Sequence, residues 1–235
     1  MSTDVAPAGQ DSGAAARLQI LATEHWSLLA TRSLTYNEAL SRVTIFLAIL
    51  SGAVIAIALV AQADGFGPPA ISIAIPVLCV VLLAGVVTVA RLIRLNSDDY
   101  RWVIGMNRIR HAYIEMRPDL AAYFVASPYD DLAGALQTLG IERSAIASAG
   151  VGSILHLVQT LPGMVALVVA CVAAAIGALG GLALHGSLLE VSLAALLGFV
   201  LIIVIMAVWA RQAVRPGAPI LESRFPSPDA GDGNS

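Results

Sequence analysis

The stretch VTIFLAILSGAVIAIALVA, residues 43–61, contains no charged side chain and decides the fold class of this chain. At about 1.5 Å per residue, an α-helix of this length nearly matches the ~30 Å hydrocarbon thickness of a bilayer. A helix in lipid satisfies all of its backbone hydrogen bonds internally, so an uninterrupted apolar helix suits that environment. The sequence therefore predicts a transmembrane helix at residues 43–61.

Composition extends this prediction to the rest of the chain. Apolar residues make up 58% of the 235 residues and charged residues 12%, against roughly 45–50% and 25% in soluble globular proteins. Three more apolar stretches follow, at about residues 71–93, 162–184 and 188–209. Short turns, QADGFGPP and HGSL, separate the first stretch from the second and the third from the fourth. The pattern predicts an all-α polytopic membrane protein with four transmembrane helices in two hairpins, plus cytoplasmic helices.

The polar segments complete the predicted domain organisation. An amphipathic helix is predicted before the first span, and a helical segment between the second and third spans. We expect these two parts to pack together through a core of Trp26, Leu29, Trp102, Ile109 and Tyr113. The predicted segments are a disordered tail at 1–13, a cytoplasmic amphipathic helix at 14–42, hairpin 1 at 43–93, a cytoplasmic helical segment at 94–160, hairpin 2 at 161–210 and a disordered cytoplasmic tail at 211–235.

The basic residues predict the orientation of the chain. All thirteen are Arg, and neither short turn between spans contains one. Three precede the first span, seven lie between Arg91 and Arg143, and three follow the last span. Because basic residues favour the cytoplasmic side, both termini and the central segment are predicted to be cytoplasmic. The expected location is the bacterial cytoplasmic (inner) membrane, with the chain crossing it several times.

Glu190 is the one acidic residue inside a predicted span, near its outer end. With Asp64 and His185 it forms a candidate ion or polar site, because carboxylates at membrane depth often mark ion pathways. The competing interpretation is a carboxylate in the first turn of a helix, stabilised there by the helix dipole. The position near the water interface favours the second interpretation.

Four residues of the helix after the second span form a candidate contact for anionic lipid or a protein partner: Arg108, Arg110, His111 and Tyr113. Basic clusters next to a membrane attract anionic headgroups. The competing interpretation is that these arginines set the topology and pair with nearby acids such as Glu115. His111 and Glu115 have the spacing of two metal ligands on one helix face, but no third ligand is visible, so no metal site is predicted.

Small residues recur every four positions in the third span, at Ala173, Gly177 and Gly181. Such a row lets helix backbones approach closely in lipid. It predicts helix packing within a four-helix bundle, and the alternative is a homo-oligomeric pore lined by this face.

Two stretches carry a resemblance to known proteins. WSLLATRSLTYNEALSR, residues 26–42, precedes the first span, and NRIRHAYIEMRPDLAAYF, residues 107–124, follows the second. Together they resemble bacterial four-helix integral membrane proteins in which a Trp-bearing helix leads into an apolar hairpin and an Arg-x-Arg-His-x-Tyr helix follows. Residues 14–116 also resemble, more distantly, two-span membrane effector modules of bacterial conflict systems. Neither resemblance implies an activity or assigns a role to any residue.

Motifs for catalysis or cofactor binding are absent from the sequence. It contains no G-x-x-x-x-G-K, H-E-x-x-H or G-x-S-x-G pattern. We therefore expect no cofactor, no enzymatic activity and no nucleic-acid binding. The expected function is that of a non-enzymatic interaction or scaffold/regulatory protein. Its expected partners are the lipid bilayer, a cytoplasmic protein or further copies of the chain. The alternative is a homo-oligomeric channel or small transporter.

Overall fold

The computed structural model describes residues 8–64, 67–140, 160–213 and 222–228. Within these ranges the chain is helical apart from loops and contains no strand. Four of the helices are long and apolar enough to cross a membrane: α1, α2, α4 and α5. The helices are α1 (Ala8–Asp64), α2 (Pro68–Met116), α3 (Leu132–Leu139), α4 (Leu161–Ala183) and α5 (Leu188–Ala213), and a short 3₁₀ helix (Pro118–Tyr123) lies between α2 and α3.

The two longest helices each join segments that the sequence had predicted as separate. The predicted amphipathic helix at 14–42 and the first span are one helix, α1, which begins at Ala8 rather than at residue 14. The second span likewise continues without a break into the predicted cytoplasmic segment and ends at Met116. No proline interrupts either junction, and the hydrogen-bonding pattern of the helix can therefore propagate through the polar residues. The prediction for residues 1–7 lies outside the described residues.

The chain divides into two compact units. Unit 1 comprises the described residues of 1–35, 98–147 and 216–235, and unit 2 those of 36–97 and 148–215. Unit 2 has a single apolar core to which α1, α2, α4 and α5 all contribute. Its most deeply buried large side chains are Phe46, Val81, Val89, Leu92 and Val169.

Backbone proximity defines the contact between α4 and α5 in unit 2. A Cβ added at Gly177 would overlap the carbonyl oxygen of Ala194, and one added at Gly198 would lie 2.6 Å from the carbonyl oxygen of Ala173. A Cβ at Gly181 would lie 3.0 Å from the Cα of Val191. The predicted row of small residues therefore lies against α5 of the same chain, where only glycine permits this approach.

In unit 1, α1 contacts α2 through a small apolar cluster. Leu28, Met106 and Ile109 are its buried members, and Trp102 and Tyr113 pack against it. A bidentate ion pair from Arg32 to Asp99, at 2.5 and 3.1 Å, lies beside the cluster. This pair is half-buried, so it fixes which turns of the two helices meet.

The predicted core of unit 1 was wrong at two positions on α1. Trp26 is 69% exposed and Leu29 39% exposed, whereas Leu28 is buried. The side of α1 that faces α2 follows three- and four-residue steps through His25, Leu28 and Arg32, as the burial pattern shows. Because the outward side of α1 is also apolar, hydrophobicity alone did not identify the buried face.

Exchanging Leu28 and Leu29 in turn for alanine tests this register. Leu28→Ala is expected to destabilise unit 1 by about 2–4 kcal/mol, because truncating a buried leucine removes apolar burial and leaves a cavity. Leu29→Ala has the same chemistry at an exposed position and should change stability by less than about 1 kcal/mol. Urea unfolding of both variants in the same detergent measures the difference, and equal losses would contradict the observed register.

Helix α3 packs on α2 through Ala135, which contacts Val103 and Ile104. Asp131 caps its start by accepting the Gly134 backbone N–H at 2.8 Å, and Gly140 ends it with φ 69°. Gly134 must lack a side chain, because a Cβ there would overlap the carbonyl oxygen of Tyr129. The loop from Ser127 to Asp131 is thus held closely against the first turn of α3. Of the predicted cytoplasmic helical segment at 94–160, residues 141–159 lie outside the described residues.

Candidate functional site

The candidate site of unit 1 contains a buried carboxylate. The side chain of Asp130 has no exposed surface, and Asp130, Asn107 and Ser127 are the buried polar residues among those described. An ionised carboxylate in such a place is unfavourable unless charges and hydrogen bonds replace its hydration. The donors that surround Asp130 therefore indicate what the site is built to hold.

Most of these donors belong to a segment near the C-terminus, residues 222–228, which we call the tail segment. The Asp130 carboxylate accepts the backbone N–H groups of Arg224, at 3.0 Å, and of Phe225, at 2.8 Å. It also accepts the Ser223 hydroxyl at 2.8 Å. In return, the backbone N–H of Asp130 donates to the carbonyl oxygen of Phe225 at 3.1 Å. Asp130 thus binds the main chain of an extended segment.

Arg108 of α2 supplies the positive charge of the site. Its Nε donates to Asp130 at 2.7 Å, and a second guanidinium nitrogen donates to the carbonyl oxygen of Glu222 at 2.8 Å. One arginine therefore neutralises the buried carboxylate and binds the segment that covers it. This geometry uses the fixed fork of the guanidinium group, which lysine lacks.

The neighbouring Asp131 holds the other end of the tail segment. Its carboxylate accepts the backbone N–H of Ser227 at 3.0 Å and the Ser227 hydroxyl at 2.5 Å. The same side chain caps α3. Two consecutive carboxylates therefore bind residues on either side of Pro226, which has no N–H to satisfy.

An aromatic contact completes the site. The rings of His111 and Phe225 are stacked, with centroids 4.1 Å apart and an interplanar angle of 20°. Phe225 is half-buried. The ring thus adds apolar contact to a segment that is otherwise held by hydrogen bonds.

Asn107 fixes the loop that carries Asp130. Its amide nitrogen donates to the carbonyl oxygen of Tyr129 at 2.8 Å. Its amide oxygen accepts from the Thr138 hydroxyl at 2.9 Å and from Arg110 at 2.7 Å. Because Asn107 is fully buried, this network links α2, α3 and the loop and holds the site in one geometry.

The environment of Asp130 also sets its protonation. Burial by itself raises the pKa of Asp130, but the backbone N–H groups of Arg224 and Phe225, then Arg108 and Ser223, outweigh burial and lower the pKa to about 2. The folded-state pKa is thus below the ordinary value of 3.8. A carboxylate with a depressed pKa stabilises the folded state above its unfolded pKa and loses that contribution as pH falls through its folded pKa.

Acid is therefore expected to release the tail segment. Between about pH 4 and about pH 2, hydrogen-exchange protection of the Arg224 and Phe225 amides should fall, with a loss of roughly 2 kcal/mol from this one group. The measurement is the hydrogen-exchange rate of these two amides at each pH, corrected for the intrinsic exchange rate at that pH. In Asp130→Asn the same titration should be absent, so an unchanged acid transition in that variant would assign the release to other carboxylates.

The tail segment was wrongly predicted as part of a disordered tail beginning at residue 211. Helix α5 continues to Ala213, and residues 222–228 are bound to Asp130 and Asp131. Sequence reasoning assigned no role to these two acids. Their partners lie more than 90 residues away, and no local pattern connects the two segments.

The predicted contact group on α2 divides between two faces. Arg108 and His111 contact the tail segment. Arg110 donates instead to Asn107, and Tyr113 lies near His25 and Phe124, with ring centroids 6.4 Å from each. The structure thus places two of the four residues at the tail segment.

His111 and Glu115, which have the spacing of two metal ligands on one helix face, each contact a different residue. His111 stacks on Phe225, and Glu115 pairs with Arg17 at 3.5 Å. In the part of the chain that the structure describes, no group of three or more His, Cys, Asp or Glu side chains could hold a metal ion.

Glu190 has a structural partner at the start of α5. It accepts the Ser187 backbone N–H at 2.6 Å, and its own N–H points to the Ser187 hydroxyl at 3.4 Å. This reciprocal pair is a capping box. The Ser-x-x-Glu spacing was visible in the sequence and overlooked. His185 lies in the preceding turn with φ 55°, and the side chain of Asp64 lies outside the described residues.

No protein-family model, curated protein or solved structure matches the chain. Its function is therefore inferred from its own geometry alone.

Proposed function

We propose that this chain is a membrane-anchored, non-enzymatic interaction protein whose unit 1 binds a short extended segment of a partner protein. The observation that carries the proposal is the pair Asp130 and Asp131, which holds the main chain of the tail segment. Main-chain hydrogen bonds combined with one aromatic contact are a common mode of peptide recognition. The bound tail segment supports an extended peptide as the ligand of this site.

The membrane anchor is proposed to consist of two hairpins. In unit 2, Glu38 of α1 accepts two hydrogen bonds from Arg91 of α2, at 2.9 and 3.0 Å. Two turns further along α1, Phe46 lies beside Gly85 of α2. From Glu38 to Phe46 the residue numbers rise along α1, whereas the residues that they contact on α2 fall from Arg91 to Gly85. This order is that of an antiparallel pair of helices. The glycine contacts between α4 and α5, joined by a short turn, support the second hairpin.

The orientation proposed is that both termini and unit 1 lie in the cytoplasm of a bacterial cell, with the anchor in its cytoplasmic membrane. The support is the distribution of the thirteen arginines, none of which lies in the two short turns.

Cysteine labelling tests this orientation after Cys79 and Cys171 are changed to Ala. Leu184→Cys, at an 84% exposed position of the short turn, should react with an impermeant reagent in intact cells. Val125→Cys, 97% exposed in unit 1, should react only after permeabilisation, and the reverse pattern would contradict the orientation.

Among the residues that the structure describes, no specific contact supports the channel alternative. The small residues that would line a pore lie against α5 of the same chain, and Glu190 is engaged in a capping box. An interaction protein is therefore the function that the geometry supports best.

Peptide binding tests the proposal directly. In the full-length variant Phe225→Ala the tail segment loses its ring contact, and the site should accept a fluorescent peptide copy of residues 222–228, ESRFPSP. Adding Asp130→Asn should abolish that binding, because the peptide amides lose their acceptor. His111→Ala is a milder second variant that removes only the aromatic contact and should weaken binding. If the peptide bound none of these chains, or all of them equally, the site would not be a peptide receptor.

A further inference from the structure

The contacts of the tail segment distinguish the positions that are recognised from those that are not. The side-chain groups engaged are the hydroxyls of Ser223 and Ser227 and the ring of Phe225. The main-chain groups engaged are the N–H groups of residues 224, 225 and 227 and the carbonyl oxygens of residues 222 and 225. The Arg224 side chain is exposed, and no hydrogen bond or ion pair of it occurs among the described residues. The recognised pattern is therefore Ser-x-Phe-x-Ser, because Pro226 is exposed like Arg224, and the second position can be any residue except proline, which has no N–H to donate.

The segment is bound at the surface rather than built into the core. None of residues 222–228 is buried, and only Phe225 and Ser227 are half-buried. Its bonds can be exchanged for bonds to water at a modest net free energy for each one. The Asp130 carboxylate remains behind when the segment leaves, and its oxygens can then accept hydrogen bonds from another segment with the same donors.

We infer that the tail segment is a tethered stand-in for a Ser-x-Phe-x-Ser segment of a separate partner protein and blocks the site until that partner displaces it. This inference rests on the proposed function. Residues 214–221 connect α5 to the tail segment. Because the tail segment belongs to the same chain as its site, it competes at an effective concentration on the order of millimolar. A free partner segment must therefore overcome a strong local competitor.

The first experiment compares two full-length chains in the same detergent, the wild type and Phe225→Ala, with the labelled ESRFPSP peptide as probe. Because the variant's own tail segment competes poorly, it should bind the peptide at least about 10-fold more tightly than the wild type. Equal affinity in the two chains would overturn the blocking role and leave the proposed function standing. Absence of binding to both would remove the inference and the proposed function together.

The second experiment scans the peptide against the Phe225→Ala chain. A peptide with Arg224→Ala should bind within about 2-fold of the parent peptide, because that side chain is exposed and makes no hydrogen bond or ion pair with the described residues. Peptides with Phe225→Ala or Ser227→Ala should bind at least about 10-fold more weakly, since each loses a contact with His111 or Asp131. A peptide weakened most by the Arg224 change would overturn the recognised pattern.

The mass of the detergent-solubilised chain distinguishes a separate partner from a second copy. If the tail segment occupies its own site, wild type and Phe225→Ala should both have the same mass at all protein concentrations. A wild-type dimer that dissociates in Phe225→Ala would show that tails are exchanged between copies, and would overturn the assignment of the site to a separate partner.

Discussion

Asp130→Asn is expected to release the tail segment and to destabilise unit 1 by about 3 kcal/mol or more, because it breaks a buried ion pair from one side. Arg108 would keep its charge without its carboxylate partner. The amide group would also point a donor toward at least one of the N–H groups that Asp130 now accepts. The loss should appear as faster hydrogen exchange at Arg224 and Phe225 and as a lower urea midpoint.

Asp119→Asn is the matched control for that change. Asp119 also pairs with an arginine, Arg117, at 2.8 Å. The Asp119 side chain is 56% exposed, whereas that of Asp130 is fully buried. Exposed ion pairs contribute about 0–1 kcal/mol, so this variant should behave nearly as the wild type. If both variants lost the same stability, burial of Asp130 would not be the cause, and its role in holding the tail segment would be refuted.

Gly177→Ala is expected to have the second large effect, this time in unit 2. A Cβ at this position would overlap the backbone of Ala194. A backbone carbonyl cannot rotate away as a side chain can, so α4 and α5 would have to separate along their contact. We expect a loss of about 1–3 kcal/mol, the usual range for overpacking, measured by thermal unfolding in one detergent.

Gly180→Ala, in the same helix and three residues away, isolates the steric cause. A Cβ at Gly180 has no atom within 4 Å. Since alanine favours helix over glycine by up to about 1 kcal/mol, this variant should be neutral or slightly more stable. Gly198→Ala should resemble Gly177→Ala, because a Cβ there lies 2.6 Å from the carbonyl oxygen of Ala173. A destabilised Gly180→Ala with an unaffected Gly177→Ala would show that the α4–α5 contact is not as described.

Part of the candidate site could be recognised from the sequence, and the reason is local. Arg108 and His111 stood out because they share a helix with other polar groups next to a predicted span. The capping box at Ser187 and Glu190 was equally local and could have been read from its spacing. Asp130 and Asp131 carried only a helix-start signal, since their ligands are the amides of a segment more than 90 residues later.

For the described part of the chain, the sequence by itself determined that it is all-helical, with four helices able to cross a membrane. Long runs without charge have few other stable environments, and that property needs no knowledge of packing. The tertiary structure alone decided that Leu28 rather than Leu29 is buried, because α1 is apolar on both faces and only α2 selects one. It also decided that residues 222–228 are bound, because hydrogen bonds between distant segments leave no period in the sequence.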